Sequence, residues 1–380
     1  MNFKKDNLGF YIVGWQKFYN KTLALIESKK VGYDPIWIFN DDIYSKIDWT
    51  IPINRSLADL YKERAQQLRE QYDYIILYFS GGADSLNVLN AFVENNIFVD
   101  EIIMLIPEPD RKNFKDGDTS GRNLYGEIEY VAIPYINSIR NILNPNTKIT
   151  LQDFSASVIE IVKKDDWVEN FVPGLRFTPG GLGWQYLDNT VPSLLKLANT
   201  GKTICKLYGV DKPVVLHKDG DYYAYFVDTN AYHACPTELT STKNINDDVS
   251  TELFYWTPSL PEIVIKQAQL IKLHCELDPL KKQLWSETKT RPVGDYRQAM
   301  HPIIYPGIGT PKFQTEKVPM DIFKPSAFDA WFWETISPNS HHNYVEALSF
   351  IGNSIKPDHL NNNESIVGGY KAITSKLYKL

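Results

Sequence analysis

The segment from Tyr74 to Phe92, YIILYFSGGADSLNVLNAF, sets the strongest limit on how this chain can fold. Its first six residues form a continuous run of apolar, β-branched and aromatic side chains, which is typical of a strand buried on both faces of a sheet. From Ser85 onward, apolar residues recur at helical spacing. A short loop containing Gly81 and Gly82 joins the two. The sequence therefore predicts a strand, a glycine loop and a helix in direct succession.

The same alternation continues on both sides of this segment. Residues 55–73 have the pattern of an amphipathic helix, and residues 99–107 and 147–155 have that of buried strands. A helix is predicted at 123–143, between these strands, and another follows the second strand. Strands that alternate with helices form right-handed βαβ units, so we expect an α/β fold with a doubly wound, mostly parallel sheet. Such sheets bind ligands at the carboxyl ends of their strands, where the glycine loop would lie.

Composition excludes several classes of protein. Of the 380 residues, 43% are hydrophobic and 23% are charged, which is close to the globular average and disfavours a disordered or fibrous chain. A net charge of −6 excludes a globally basic nucleic-acid binder, although it leaves room for a local basic channel. No apolar run approaches the roughly 20 residues that span a bilayer, and the amino terminus lacks a signal-like stretch. We therefore expect a cytoplasmic protein with no membrane partner.

The cysteines point to no metal or redox site. Cys205, Cys235 and Cys275 include no Cys-x-x-Cys pair, which argues against a disulfide frame, a zinc ribbon and a dithiol redox centre. Isolated reduced thiols are the expected state.

The glycine loop has the properties of an anion-binding site. Gly81 and Gly82 permit positive φ angles and close backbone approach, so several amide N–H groups can turn inward. The helix beginning near Ser85 adds the partial positive charge of its amino terminus. Ser80 and Ser85 can donate hydroxyl hydrogen bonds, while Asp84 can cap the helix or hold a cation. Pyrophosphate with its magnesium fits such a loop; the alternative is a tight turn followed by an ordinary N-cap.

The hexapeptide SGGADS at residues 80–85 resembles the S-G-G-x-D-S motif of the PP-loop, or N-type ATP pyrophosphatase, superfamily. The resemblance implies a HUP-like domain with amino-terminal and carboxyl-terminal elaborations. It also implies a chemistry in which ATP adenylates a carbonyl, carboxylate or amide oxygen, pyrophosphate leaves, and a nitrogen or sulfur nucleophile displaces AMP. The cofactors implied are ATP and Mg²⁺, with Asp84 as metal ligand and catalytic residue. The nucleotide-binding residues implied are consecutive: Phe79, Ser80, Gly81, Gly82, Ala83, Asp84 and Ser85.

Motif-level resemblance covers only the residues up to about 150. Differences from the characterised branches of the superfamily limit which reaction the chain can catalyse. The chain lacks the amino-terminal cysteine of a glutaminase, the zinc cysteines of the deazaguanine synthase and the paired cysteines of many thiolating members. Amine transfer therefore leads over sulfur transfer, and free ammonia or a partner glutaminase would supply the nitrogen. Taken whole, the chain resembles PP-loop proteins of tailed phages, which share a later GVDKP stretch; a phage protein would act in the cytoplasm of a bacterial host.

Lys212 of this GVDKP stretch is the second predicted catalytic residue. It lies between Asp211 and Pro213, and the proline ring restricts the local backbone. A fixed lysine is suited to neutralising a leaving pyrophosphate, where negative charge develops in the transition state. Surface lysines are far commoner than catalytic ones, so an ordinary turn is the alternative.

Two other stretches are candidates for substrate contact. Residues 175–187 combine Arg176 with Gly180 and Gly181 and are interpreted as a second nucleotide- or substrate-facing loop, although Pro-Gly is a common turn. Residues 291–317 cluster basic side chains with Gly and Pro and are interpreted as a loop or lid. The basic residues in question are Arg291, Arg297, His301, Lys312 and Lys317. In residues 252–274, Tyr255 and Trp256 are either core or an aromatic wall around a flat substrate.

These expectations divide the chain into an amino-terminal extension (1–54), a PP-loop domain (55–240) and a mainly helical and loop region (241–380) that contacts substrate or forms a lid. Two classes of function remain open. One is an adenylating enzyme acting on a small molecule or nucleobase, with the modification of phage nucleotides or nucleic acids as one setting and a homo-oligomer as one form. The other is a nucleotide-binding or sensing protein without turnover. The intact pair Asp84 and Ser85 favours the enzyme, because a scaffold would gain little from a magnesium-coordinating carboxylate.

Overall fold

The computed structural model describes residues 4–118, 123–162, 192–197, 200–228, 248–280, 300–308, 327–342 and 373–380. Within these ranges, the strands are β1 (Phe10–Val13), β2 (Gln16–Phe18), β3 (Ile36–Ile38), β4 (Tyr74–Tyr78), β5 (Glu101–Ile106), β6 (Lys148–Asp153), β7 (Ile204–Tyr208), β8 (Val214–Lys218), β9 (Asp221–Tyr225), β10 (Val249–Leu253) and β11 (Tyr378–Lys379).

The α-helices of the same ranges are α1 (Lys21–Val31), α2 (Asp41–Tyr44), α3 (Leu57–Gln71), α4 (Ala83–Val93), α5 (Glu108–Lys112), α6 (Ile133–Ile139), α7 (Ser155–Val162), α8 (Pro192–Leu197), α9 (Glu262–Leu277) and α10 (Ala327–Thr335). A 3₁₀-helix (Lys4–Leu8) precedes β1, and a π-helix (Ile128–Ala132) leads into α6. No helix in the described ranges is long and apolar enough to cross a membrane.

A five-stranded, all-parallel sheet forms the centre of the fold, in the order β10-β7-β4-β5-β6. Numbered along the chain from β4 and read from the β6 edge, this order is 3-2-1-4-5. The direction of winding reverses between β4 and β7, and in doubly wound sheets ligands bind in the crevice at this reversal. The predicted α/β class with a parallel sheet is confirmed.

Alternating side chains of β4 explain why both faces of the sheet are covered. Ile75 and Leu77 belong to one hydrophobic core, and Ile76 and Tyr78 belong to the other. Helices α3, α4 and α9 cover the first face, and α7, α8 and α10 contribute to the second. Full burial of one such aliphatic side chain contributes roughly 1.5–3 kcal/mol, so a strand this apolar is stable only between two layers of helices.

The amino-terminal extension packs against the antiparallel sheet β11-β9-β8. The Lys21 ammonium lies 2.6 Å from Asp228 Oδ2 in a buried ion pair, and the Tyr11 hydroxyl donates to the same carboxylate oxygen over 2.7 Å. The predicted boundary at residue 240 does not coincide with the edge of the central sheet, because β10 supplies its fifth strand. Strands β8 and β9 pair as an antiparallel hairpin, with Asp219 and Gly220 between them.

Candidate functional site

The glycine loop is three residues long and lies at the carboxyl end of β4. Phe79 still pairs with the neighbouring strand, since its N–H donates to Ile103 O over 2.8 Å, and its side chain is buried in the core. Helix α4 begins at Ala83, with Gly82 as the N-cap. The loop therefore consists of Ser80, Gly81 and Gly82, with Phe79 between it and the end of β4, and the helix begins two residues before the predicted start near Ser85.

The two glycines are needed for different reasons. Gly81 has a φ of +82°, and a Cβ on it would lie 2.9 Å from the backbone nitrogen of Ala132. Gly82 has a φ of −66°, which any residue adopts. A Cβ on Gly82 would lie 3.3 Å from Glu127 Oε1 and from Ser80 Oγ. The positive φ expected of both glycines thus occurs at Gly81 alone, and Gly82 is restricted by space.

The serine hydroxyls close the loop on itself. Ser85 Oγ donates to Gly82 O over 3.1 Å and accepts from the Ser80 N–H over 3.2 Å, while the Gly82 N–H donates to Ser80 Oγ over 3.3 Å. Bonds this long contribute at most about 1 kcal/mol each. An anion that offers better acceptors can therefore replace them at little cost, and the amino terminus of α4 favours negative charge there.

Lys212 lies directly against the loop, although it is 128 residues from Asp84 in sequence. The chain leaves β7 at Gly209, where a Cβ would be 3.0 Å from the carbonyl carbon of Asp84, so the two backbones touch. Lys212 Nζ lies 2.5 Å from Asp84 Oδ1, also contacts Oδ2, and lies 3.0 Å from Asp211 Oδ1. Its side chain is 8% exposed, and that of Asp84 is 30% exposed. The two residues predicted to be catalytic are therefore in contact at the reversal point of the sheet.

Asp84 is ionised at neutral pH. Burial raises the pKa of its carboxyl group, but the opposing charges of Lys212 and His301, with hydrogen bonds from Lys212 and Tyr305, lower it to about 2. Because the carboxylate is both charged and partly exposed, it can accept a cation from solvent.

A ring of donors around Asp84 comes from segments that local sequence patterns did not connect with the loop. The Tyr305 hydroxyl donates to the Asp84 carboxylate, and the Tyr255 hydroxyl donates to the Asp84 backbone oxygen over 2.9 Å. Asn87 Nδ2 in turn donates to the Tyr255 hydroxyl over 2.9 Å. His301, which the sequence grouped with a basic loop, stacks on Tyr305 with ring centroids 5.6 Å apart. Tyr255 is thus a buried hydrogen-bonding residue of the site.

The other flank of the loop is formed by the segment after β5. The π-helix packs its Ala132 backbone against Gly81, and Glu127, one residue before the π-helix, extends its carboxylate to Gly82. Short π-helical turns recur at functional sites. No spacing in the sequence signals this contact.

Several predicted site residues lie outside the described residues: Arg176, Gly180, Gly181, Arg291, Arg297, Lys312 and Lys317. The two cysteines within the described ranges, Cys205 and Cys275, are fully buried. No model of a known protein family matches the chain, and no curated protein shows significant similarity to it.

Proposed function

We propose that this protein is an ATP-dependent adenylating enzyme of the N-type ATP pyrophosphatase kind, built on a HUP-like fold. It would activate a carbonyl, carboxylate or amide oxygen of a small molecule or nucleobase for attack by an amine. The observation that carries the proposal is the contact of 2.5 Å between Lys212 Nζ and Asp84 Oδ1, beside a glycine loop at the reversal point of a parallel sheet.

The residues of the site fit Mg²⁺ and a polyphosphate. Asp84 offers the charged oxygen ligand that Mg²⁺ prefers, and the ammonium of Lys212 already stands beside this carboxylate as a cation. Ser80 and Ser85 offer hydroxyl groups, and any side chain at position 81 would be pressed against Ala132. Magnesium, when bound, would supply charge neutralisation on the phosphates.

In the first step, an acceptor oxygen forms a bond to the α-phosphorus while the bond from this phosphorus to the bridging oxygen of the β-phosphate breaks. Pyrophosphate leaves with the electron pair, and Lys212 stabilises the charge that develops on it. Because the Lys212 side chain is only 8% exposed, this attraction is weakly screened by water. An amine nitrogen then attacks the activated carbon, and AMP leaves. Within the described residues, the burial of Cys205 and Cys275 leaves neither thiol exposed as a nucleophile, and Cys235 lies outside these residues.

Phosphorus NMR of ATP with Mg²⁺, ammonia and panels of nucleobases, amino acids and other carboxylates tests the proposal. We expect AMP and pyrophosphate with the correct acceptor, and neither product with Asp84→Ala. ADP and orthophosphate would contradict cleavage between the α and β phosphates. Tight ATP binding without cleavage across the panels would instead favour a nucleotide sensor.

A further inference from the structure

Asp84 is held by two donors of different kinds. Lys212 reaches both carboxylate oxygens through a long, charged side chain, and it also lies 3.0 Å from Asp211. Tyr305 donates a single hydrogen bond to Oδ1 through a neutral phenol that is fully buried. The first donor can exchange partners, whereas the second is fixed in place.

Packing is the reason why Tyr305 is fixed. Its ring lies 5.5 Å from the ring of Tyr255 and 5.6 Å from that of His301, measured between centroids. A phenol keeps its proton near neutral pH, so Tyr305 is the donor in its hydrogen bond to the Asp84 carboxylate. A second contact anchors the same segment independently of Asp84, since the Tyr61 hydroxyl donates to Ile304 O over 2.6 Å.

A bound cation and a bound phosphate would both separate Lys212 from Asp84. The phosphate attracts Lys212 away from Asp84, and the cation competes with Lys212 for the same carboxylate oxygens. Tyr305 can follow neither, because its ring cannot move without opening the core. The Asp84 carboxylate would then keep its orientation only through Tyr305 and its own backbone.

We propose that Tyr305 is a positioning residue, which holds the Asp84 carboxylate in place for a divalent cation while Lys212 changes partner from carboxylate to phosphate. The inference rests on the proposed function, because it assigns the cation to Asp84. It adds a residue from the carboxyl-terminal region, 221 positions away in sequence, to the nucleotide site.

Mn²⁺ binding, followed by electron paramagnetic resonance at saturating ATP, tests this role without requiring the acceptor. Tyr305→Phe keeps the ring and removes only the hydroxyl group. Since a hydrogen bond to a charged group is worth roughly a factor of 10 or more, we expect Mn²⁺ to bind about tenfold more weakly. Tyr11→Phe is the matched control, because it removes a buried hydroxyl that donates to a carboxylate outside the site, that of Asp228. It should leave Mn²⁺ affinity within about twofold of the unmodified protein.

A double-mutant cycle separates positioning from folding. In an Asp84→Asn background, the added Tyr305→Phe change should have no further effect on Mn²⁺ affinity, because the carboxylate is already gone. Equal losses in Tyr305→Phe and Tyr11→Phe, or an additive loss in the double variant, would overturn the positioning role. Unchanged Mn²⁺ affinity in a folded Tyr305→Phe protein would also overturn it while leaving the proposed function intact. If the unmodified protein bound no Mn²⁺ with ATP, the proposed function itself would fail.

Discussion

Asp84 and Asp110 follow neighbouring strands at the same edge of the central sheet, yet their environments are opposite. Lys212 and His301 face Asp84 and outweigh its burial, so its pKa falls to about 2. Burial and the nearby Asp329 raise the pKa of Asp110 to about 7, although two backbone N–H groups donate to it. Asp84 is 30% exposed at its side chain, whereas Asp110 is fully buried.

The difference shows that position at the carboxyl edge does not by itself decide whether a carboxyl group is charged. Asp110 accepts from the Leu124 N–H over 2.5 Å and from the Phe328 N–H, so it joins the first turn of α10 to the segment after α5. Asp84 is instead paired with the ammonium group of Lys212, which lies in the segment after β7. The partner supplied by a distant segment therefore decides which of the two carboxyl groups is fully ionised at neutral pH.

The largest expected effect follows from removing the ammonium group of Lys212. Lys212→Met should lower the rate of pyrophosphate release by about 10²–10³, because a placed charge acts on the transition state more than on bound ATP. Nucleotide affinity, measured by calorimetry, should change far less. Lys218→Met, on β8, is the control and should change the rate little. Equal losses of rate in Lys212→Met and Lys218→Met would mean that positive charge anywhere near the site has this effect, and that Lys212 has no specific role.

The raised pKa of Asp110 predicts that the free energy of unfolding falls as pH rises from about 4 to about 7. A carboxyl group whose pKa is higher in the folded protein favours folding below its unfolded pKa, and this contribution is lost as pH rises through the folded pKa. The loss should be about 3 kcal/mol. Urea unfolding across this range should give a steeper decline for the unmodified protein than for Asp110→Asn. Parallel profiles would contradict the raised pKa.

Of the two glycines in the loop before Asp84, only Gly82 should tolerate replacement by alanine. Gly81→Ala combines a positive φ with a backbone clash and should lower the free energy of unfolding by about 2 kcal/mol. Gly82→Ala has an ordinary φ and meets only side-chain atoms, so its effect should be under about 1 kcal/mol. Urea unfolding at pH 7.5 compares the two. A larger loss at Gly82 would show that the loop adopts a different backbone conformation.

The smallest effect is the contribution of the Asp84 ion pair at low pH. A lowered pKa stabilises the fold above the ordinary value of 3.8, and this contribution is lost as pH falls from there to about 2. It should amount to about 1 kcal/mol, because the carboxylate is partly exposed to solvent. Carbon NMR titration of Asp84 should give a higher midpoint in Lys212→Met than in the unmodified protein. Identical midpoints would remove Lys212 as the cause.

The predictable part of the site is the part formed by contiguous residues. An unbroken apolar run, two glycines and a helical repeat lie together in residues 74–92, so β4, the loop and α4 follow from local preferences. The contact of Tyr305 with Asp84 depends on how the segment at 300–308 packs, and helical or strand periodicity carries no information about it. The strand β7 is also hard to recognise, because its five residues run straight into the turn at Gly209.

At Gly209 the segment that carries Lys212 lies directly against the backbone of Asp84 and Ser85, with no side chain of its own between them. A Cβ at position 209 would lie 3.0 Å from the Asp84 carbonyl carbon and the Ser85 nitrogen. Alanine would require the two backbones to move apart by a few tenths of an ångström, which would alter the reach of Lys212 to Asp84 while changing none of the polar groups. The close approach of the two segments thus depends on the absence of one methyl group.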